Sequence, residues 1–137
     1  MYLLDTNVVS ELRKPKPHGA VLKWIDEVDE NDIFLSAVTV GELQAGIELT
    51  RRQDQPRAEE LDAWLDAVTG SYQILAMDGR IFREWARLMD GRPHQLLEDA
   101  MIAATARVHR LTVVTRNTRD FANFEVPLVN PFNTKHA

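Results

Sequence analysis

The sequence has no cysteine among its 137 residues. Disulfide bonds, thiolate nucleophiles and cysteine-ligated metal sites are therefore excluded. No apolar run approaches the roughly 18 residues that would predict a membrane span, and the first residues lack the basic and apolar regions of a signal peptide. We therefore expect a cytoplasmic protein with no membrane contact.

Basic residues are also in the minority. The chain has 16 Lys and Arg against 21 Asp and Glu, a net charge of −5. Because proteins that bind free nucleic acid normally present a basic surface, any function on RNA or DNA has to account for this excess of acid. The hydrophobic fraction of 45% is ordinary for a globular protein, and the length predicts one domain over residues 1–137.

Short apolar segments alternate along the chain with longer segments of helical periodicity. The predicted strands are Tyr2–Asp5, Ile33–Ala37, Gln73–Ala76, Leu111–Thr115 and Val126–Val129. The predicted helices are Asn7–Arg13, Ala20–Val28, Thr39–Arg51, Arg57–Val68, Asp78–Met89 and Leu96–Val108. This alternation predicts parallel βαβ units in a three-layer α/β/α domain with a short-stranded, mainly parallel sheet.

Two acidic residues lie where predicted strands give way to helices. Asp5 ends the first strand, and Glu42 lies near the start of the helix after the second. Ligands of open α/β sheets bind at the carboxyl ends of the strands, so both side chains are candidates for a site. Each also has a structural explanation, because Asp5 can cap the next helix and Thr39 with Glu42 matches a capping box.

Asp99 is harder to explain by capping. It heads an alanine-rich helix, and its neighbours at helical spacing are Ile102, Ala103 and Ala106. Burial of an unpaired carboxylate is costly, and the helix dipole offsets only about 0.3–1 kcal/mol. This pattern favours a functional acid at position 99.

A fourth polar group follows the strand that ends at Thr115. It contains Asn117 and Asp120, which by themselves are also typical of a polar turn. Together with Asp5, Glu42 and Asp99 they are predicted to meet at one edge of the sheet. Carboxylates at close range repel each other, and a hard divalent cation such as Mg²⁺ or Mn²⁺ relieves that repulsion. Such a site is typical of metal-assisted phosphodiester hydrolysis.

Four ordered segments resemble the PIN-domain ribonucleases, in particular the VapC-type toxins of toxin–antitoxin pairs. The segments are LLDTNVVSEL, SAVTVGELQAGIE, LLEDAMIAATARVHRLTVVTRNTRDF and VPLVNPF. The resemblance implies a PIN-like domain that hydrolyses RNA with Mg²⁺ or Mn²⁺. By matched position, Asp5, Glu42 and Asp99 would be the metal-binding catalytic acids. Many members have an acid where this chain has Asn117, so Asn117 would orient water or metal and Asp120 would be an outer acid.

The resemblance also implies partners. These are an RNA substrate, a cognate VapB-type antitoxin that inserts an arginine among the acids, and a second copy of the chain in a homodimer. Thr6 and Thr115 would help position the phosphate or a metal-bound water. A basic rim would offset the acidic site, with candidates at Arg13, Lys14, Lys16, Arg51, Arg52, Arg116 and Arg119.

Two alternatives remain open from the sequence. A haloacid dehalogenase-type phosphotransferase also runs a strand into an aspartate, but its general acid two residues later is replaced here by Asn7. The other alternative is a PIN-fold interaction module of weak or absent activity. The missing acid at Asn117 keeps that interpretation open, whereas the presence of all three other acids argues against it.

Overall fold

The computed structural model describes residues 1–133, and residues 134–137 lie outside the described part. Its strands are β1 (Tyr2–Leu4), β2 (Ile33–Ser36), β3 (Gln73–Leu75), β4 (Thr112–Val114) and β5 (Leu128–Val129). Its helices are α1 (Thr6–Leu12), α2 (Gly19–Glu27), α3 (Ala37–Arg51), α4 (Gln55–Ser71), α5 (Gly79–Met89), α6 (Leu97–His109) and α7 (Thr118–Phe121). None of these helices is long and apolar enough to cross a membrane.

The sheet is parallel throughout, in the order β3-β2-β1-β4-β5. The chain first builds outward from β1 to β2 and β3, and then returns to add β4 on the other side of β1. The strand order therefore reverses between β1 and β4, and ligands of open α/β sheets bind at such a switch point. β1 and β4 are in register from Tyr2 opposite Thr112 to Leu4 opposite Val114, so their carboxyl ends lie side by side.

Alternating residues of the central strands supply two separate cores. Leu4 and Val114 pack with α1 to α4 on one face, while Leu3 and Val113 pack with α5 and α6 on the other. A strand with both faces covered is apolar at every position, which explains the continuous apolar runs seen in the sequence. The predicted three-layer α/β/α fold is confirmed.

Several predicted boundaries are wrong, and the differences matter for the site. β1 ends at Leu4, and Asp5 is the N-cap of α1. α3 begins at Ala37 because the Ser36 hydroxyl accepts a hydrogen bond from the Val38 amide. The region read as a polar turn at Asn117 and Asp120 contains the short helix α7.

Candidate active site

Asp5 is the centre of the candidate site and is only 5% exposed. One carboxylate oxygen accepts from the Thr6 amide at 2.8 Å. The other accepts from the Thr115 hydroxyl at 2.8 Å and from the Asn7 side-chain amide at 3.2 Å. Burial raises the pKa of Asp5, and the bonds from Thr115 and Thr6 oppose that rise. Asp5 is therefore both the N-cap of α1 and a member of the candidate site.

Glu42 joins the same site from α3. The Thr6 hydroxyl lies 2.8 Å from Glu42 Oε1 and 3.0 Å from the Thr39 hydroxyl. Thr39 is fully buried and is the third residue of α3, with Ser36 as the N-cap, so the predicted capping box of Thr39 and Glu42 is wrong. Because Ser36 caps the helix, the Glu42 carboxylate is free to meet residues of α1. Partial burial raises its pKa, and repulsion from Asp5 and Glu98 adds to the rise.

Asp99 has the most perturbed carboxylate of the three. It lies in the first turn of α6, partly buried. Burial raises its pKa from 3.8 to about 7, with further contributions from repulsion by Asp5, Asp120, Glu42 and Glu98. Asp99 is thus repelled by four other acids, and no basic side chain of residues 1–133 lowers its pKa. The structure therefore brings all three predicted acids into one electrostatic cluster.

Asn117 and Asp120 occupy different places at the border of this cluster. The Asn117 amide donates to the Thr115 hydroxyl at 2.9 Å, while its own side chain makes no capping bond to α7. The side chain of Asn117, by contrast with its backbone N–H, is exposed at the rim of the site. Asp120, on α7, is exposed but close enough to raise the pKa of Asp99.

Two residues of the site were missed from the sequence. In the sequence, Asn7 stands out only as the residue that replaces the general acid of the phosphotransferase, yet its side chain contacts Asp5, the Thr115 hydroxyl at 3.4 Å and the Arg116 amide at 3.3 Å. Glu98 is not among the predicted site residues, but it raises the pKa of both Glu42 and Asp99. The signal for Asn7 was its spacing of two residues from Asp5, whereas nothing local distinguished Glu98.

The expected basic rim is only partly available. Arg51 is committed elsewhere, because its guanidinium pairs with Glu48 and Asp62 on the α3–α4 hairpin. Arg13 lines a cavity of about 170 Å³ beside Thr6 and Glu42. Two acids of the hairpin thus engage the Arg51 guanidinium, and the basic rim stays a prediction.

The oxygen donors of the site suit a divalent cation that keeps part of its water shell. Within residues 1–133, no three His, Asp or Glu side chains lie close enough together to bind an ion directly. Mg²⁺ usually keeps several waters and is held by one or two carboxylates, so a preformed cage of three is not required. Oxygen donors that repel one another and have raised pKa values fit such an ion.

Comparison with known proteins decides the family. The PIN domain model matches residues 2–126. The chain belongs to the PIN-domain family. The VapC ribonuclease Y4jK of Sinorhizobium fredii is 37% identical to this PIN protein over 96% of its length and 98% of the relative.

Solved structures give the same assignment. A crystal structure of FitAcB from Neisseria gonorrhoeae is 34% identical, covers 97% of this chain and 99% of that one, and has a TM-score of 0.87. A toxin–antitoxin complex from Klebsiella pneumoniae is 27% identical, covers 97% of this chain and 99% of that one, and has a TM-score of 0.68. The expected PIN resemblance is confirmed. These relatives support a nuclease of the toxin–antitoxin type and do not favour the phosphotransferase.

Proposed function

We propose that this PIN protein is a metal-dependent endoribonuclease that serves as the toxin of a toxin–antitoxin pair. The observation that carries the proposal is the cluster of Asp5, Glu42 and Asp99, whose pKa values are all raised, while no basic side chain of residues 1–133 lowers the pKa of any of the three. Raised pKa values mean that the ionised forms of these carboxylates are disfavoured. A divalent cation stabilises the ionised forms, so the cluster favours such a cation as its ligand. The ribonuclease named among the relatives supports RNA as the substrate.

Asp5, Asp99 and Glu42 are the residues that would hold Mg²⁺ or Mn²⁺. When bound, the ion would supply Lewis-acid stabilisation of phosphate charge and lower the pKa of an attacking water. No histidine is needed as a general base in this scheme. Asn117 would orient a water or the ion at the rim, and Asp120 would act from farther out.

The surrounding polar residues would keep Asp5 and Glu42 in place. The Thr115 hydroxyl donates to Asp5 and accepts from the Asn117 amide, so its orientation is fixed from both sides. The Thr6 hydroxyl donates to Glu42 at 2.8 Å. In residues 1–133 no buried side-chain nitrogen or oxygen lacks a partner, so these bonds leave little freedom for rearrangement.

The test is cleavage of RNA by partner-free protein in Mg²⁺, Mn²⁺ or EDTA, with total RNA and a structured transfer RNA as substrates. We expect metal-dependent cutting that is lost in the Asp99→Asn variant, because the amide cannot supply the charge that a cation requires. Cutting that survives in Asp99→Asn purified in the same way would identify a contaminant. A folded protein that binds metal but cuts neither RNA would favour the inactive interaction module, and Asn117→Asp would then be assayed for restored activity.

The proposed antitoxin follows from the same charge. An unbalanced acidic cluster is a receptor for a basic peptide, and an inserted arginine would pair with carboxylates through two hydrogen bonds. The solved toxin–antitoxin complex supports an antitoxin as the partner. Full inhibition by an antitoxin whose inserted arginine has been replaced would count against the proposal. A homodimer is also proposed, and light scattering of the purified protein would test it.

A further inference from the structure

Arg116 is tied to the acidic cluster through its backbone. It follows Thr115 at the carboxyl end of β4, and its amide lies 3.3 Å from the side-chain oxygen of Asn7. The nitrogen of that same side chain donates to Asp5 at 3.2 Å. Two hydrogen bonds thus connect Arg116 to the central acid.

The side chain of Arg116 is held against an aromatic ring rather than against an acid. Its guanidinium carbon lies 4.4 Å from the centre of the Phe132 ring. His18 packs edge-on to the same ring, with 5.4 Å between ring centres. A guanidinium that lies over a ring is oriented by it, and its N–H groups point outward in their own plane. Within residues 1–133 no carboxylate forms an ion pair with Arg116.

A buried acid, Glu11, binds the backbone of His18, which packs against Phe132. Glu11 is only 6% exposed, and its carboxylate accepts from the His18 amide and from the Lys14 ammonium, both at 2.9 Å. These bonds lower the pKa of Glu11, with the Lys14 bond the largest cause. The proposed hydrolysis gives Glu11 no role. Its contacts instead fix the loop that positions His18 beside Phe132.

We propose that Arg116, stacked on Phe132, binds an RNA backbone phosphate next to the one that is cleaved. The inference rests on the proposed ribonuclease function and adds a binding residue to it. An arginine fork matches the geometry of phosphate oxygens, and the stack reduces the conformational freedom lost on binding. The positive charge of Arg116 selects an anion, whereas the proposed antitoxin arginine would pair with the acids and not with Arg116.

The chain offers a matched control. Arg92 also lies over a phenylalanine, with its guanidinium carbon 4.9 Å from the centre of the Phe124 ring. Its guanidinium donates to the Asn123 carbonyl at 2.9 Å, so part of its donor capacity is already used within the protein. Arg92→Ala removes the same charge from the same kind of stack without touching the candidate site.

The experiment measures RNA binding in an Asp99→Asn background, with Mg²⁺ present, using fluorescence anisotropy of a labelled single-stranded RNA and a transfer RNA. We expect Arg116→Ala to raise Kd about tenfold, the loss of one good charge-assisted contact. The salt dependence of binding to the single strand should fall by about 0.7 in slope, as for one phosphate contact. The Kd of Arg116→Lys should lie between those of the wild type and Arg116→Ala. The Kd of Arg92→Ala should stay within about twofold of the wild-type value.

Equal losses in Arg116→Ala and Arg92→Ala would overturn the inference, because they would show a general effect of charge. An unchanged Kd for RNA with weakened binding of the antitoxin would also overturn it and assign Arg116 to the partner. If wild-type protein cleaves RNA but the Asp99→Asn background binds too weakly to measure, the KM of cleavage decides. A rise of about tenfold in KM at constant kcat in Arg116→Ala supports the proposal, and an unchanged KM overturns it.

The two proposals fail in different ways. A wild-type protein that neither cuts nor binds RNA removes both. A protein that cuts RNA with metal, yet shows no difference between Arg116→Ala and Arg92→Ala, removes only the phosphate contact. Phe132→Leu, checked for folding by circular dichroism, should weaken RNA binding less than Arg116→Ala because it loosens the arginine without removing its charge.

Discussion

The two ends of helix α3 carry acids in opposite electrostatic states. Near its start, Glu42 lies with Asp5 and Asp99, and the pKa of each is raised. Near its end, Glu48 and its neighbour on α4, Asp62, share Arg51, and hydrogen bonds from the arginine lower the pKa of both. The same helix therefore presents one acid cluster stabilised by Arg51 and another in which no basic side chain of residues 1–133 lowers a pKa.

The difference separates structural acids from acids that await a ligand. An acid paired with arginine on an exposed surface is satisfied within the chain and contributes modestly to stability. An acid grouped with other acids disfavours its own ionisation in the folded state, and this cost persists until a cation binds. Perturbed carboxylates of the second kind mark functional sites more often than those of the first.

The largest expected difference between the clusters is in catalysis. Asp5→Asn should reduce RNA cleavage by about a thousandfold or more, because it removes the most buried acid of the site. Asp62→Asn, the same chemical change at the other cluster, should leave cleavage at the wild-type rate. Both are measured as kcat/KM on one RNA at saturating Mg²⁺. Similar losses in the two variants would mean that the acid cluster at the sheet edge has no special role.

A smaller loss of RNA cleavage is expected when the acids are kept and a hydroxyl that hydrogen-bonds to Asp5 is removed. Thr115→Val preserves shape but deletes the hydroxyl that donates to Asp5 and accepts from Asn117. We expect cleavage to fall roughly tenfold, the usual cost of losing an outer partner of a metal ligand. Thr112→Val, at the start of β4, is the matched control and should change cleavage little. A loss of activity explained wholly by unfolding, seen in the thermal melt, would contradict a positioning role.

The sequence predicted the fold well, because the strands are continuous apolar runs and turn signals separate the helices. It also predicted that Asp5 and Glu42 lie at one edge, since each comes near the carboxyl end of a parallel strand. Asp99 was predicted on another ground, the cost of burying a carboxylate at the head of an apolar helix. What it missed depends on side-chain direction. The T-x-x-E pattern at Thr39 looked like a cap, but Ser36 starts the helix earlier. Arg51 looked available, but its acidic partner Asp62 is on the neighbouring helix, where sequence spacing gives no signal.

The smallest predicted effect is on the free energy of unfolding. The acid cluster of Asp99 lowers it as pH rises, whereas the cluster of Asp62 loses its contribution as pH falls. Because the pKa of Asp99 is raised from 3.8 to about 7, the folded state holds a proton that the unfolded state has lost between these values. The free energy of unfolding therefore falls as pH rises through that window. The pKa of Asp62 is lowered, so its contribution is lost only as pH falls below its ordinary range.

Urea unfolding in EDTA at pH 5 and pH 8 measures this contrast. The wild type should lose on the order of 1–2 kcal/mol between the two, less than full conversion of the shift, because Asp99 is partly solvated. Asp99→Asn should flatten that dependence and be the more stable protein at pH 8, whereas Asp62→Asn should keep the wild-type slope. Mg²⁺ at pH 8 should stabilise the wild type more than Asp99→Asn, because only the wild type retains the full set of ionised acids for the cation. Identical pH slopes in wild type and Asp99→Asn would show that the acid cluster carries no electrostatic cost, and the comparison between the two ends of α3 would lose its basis.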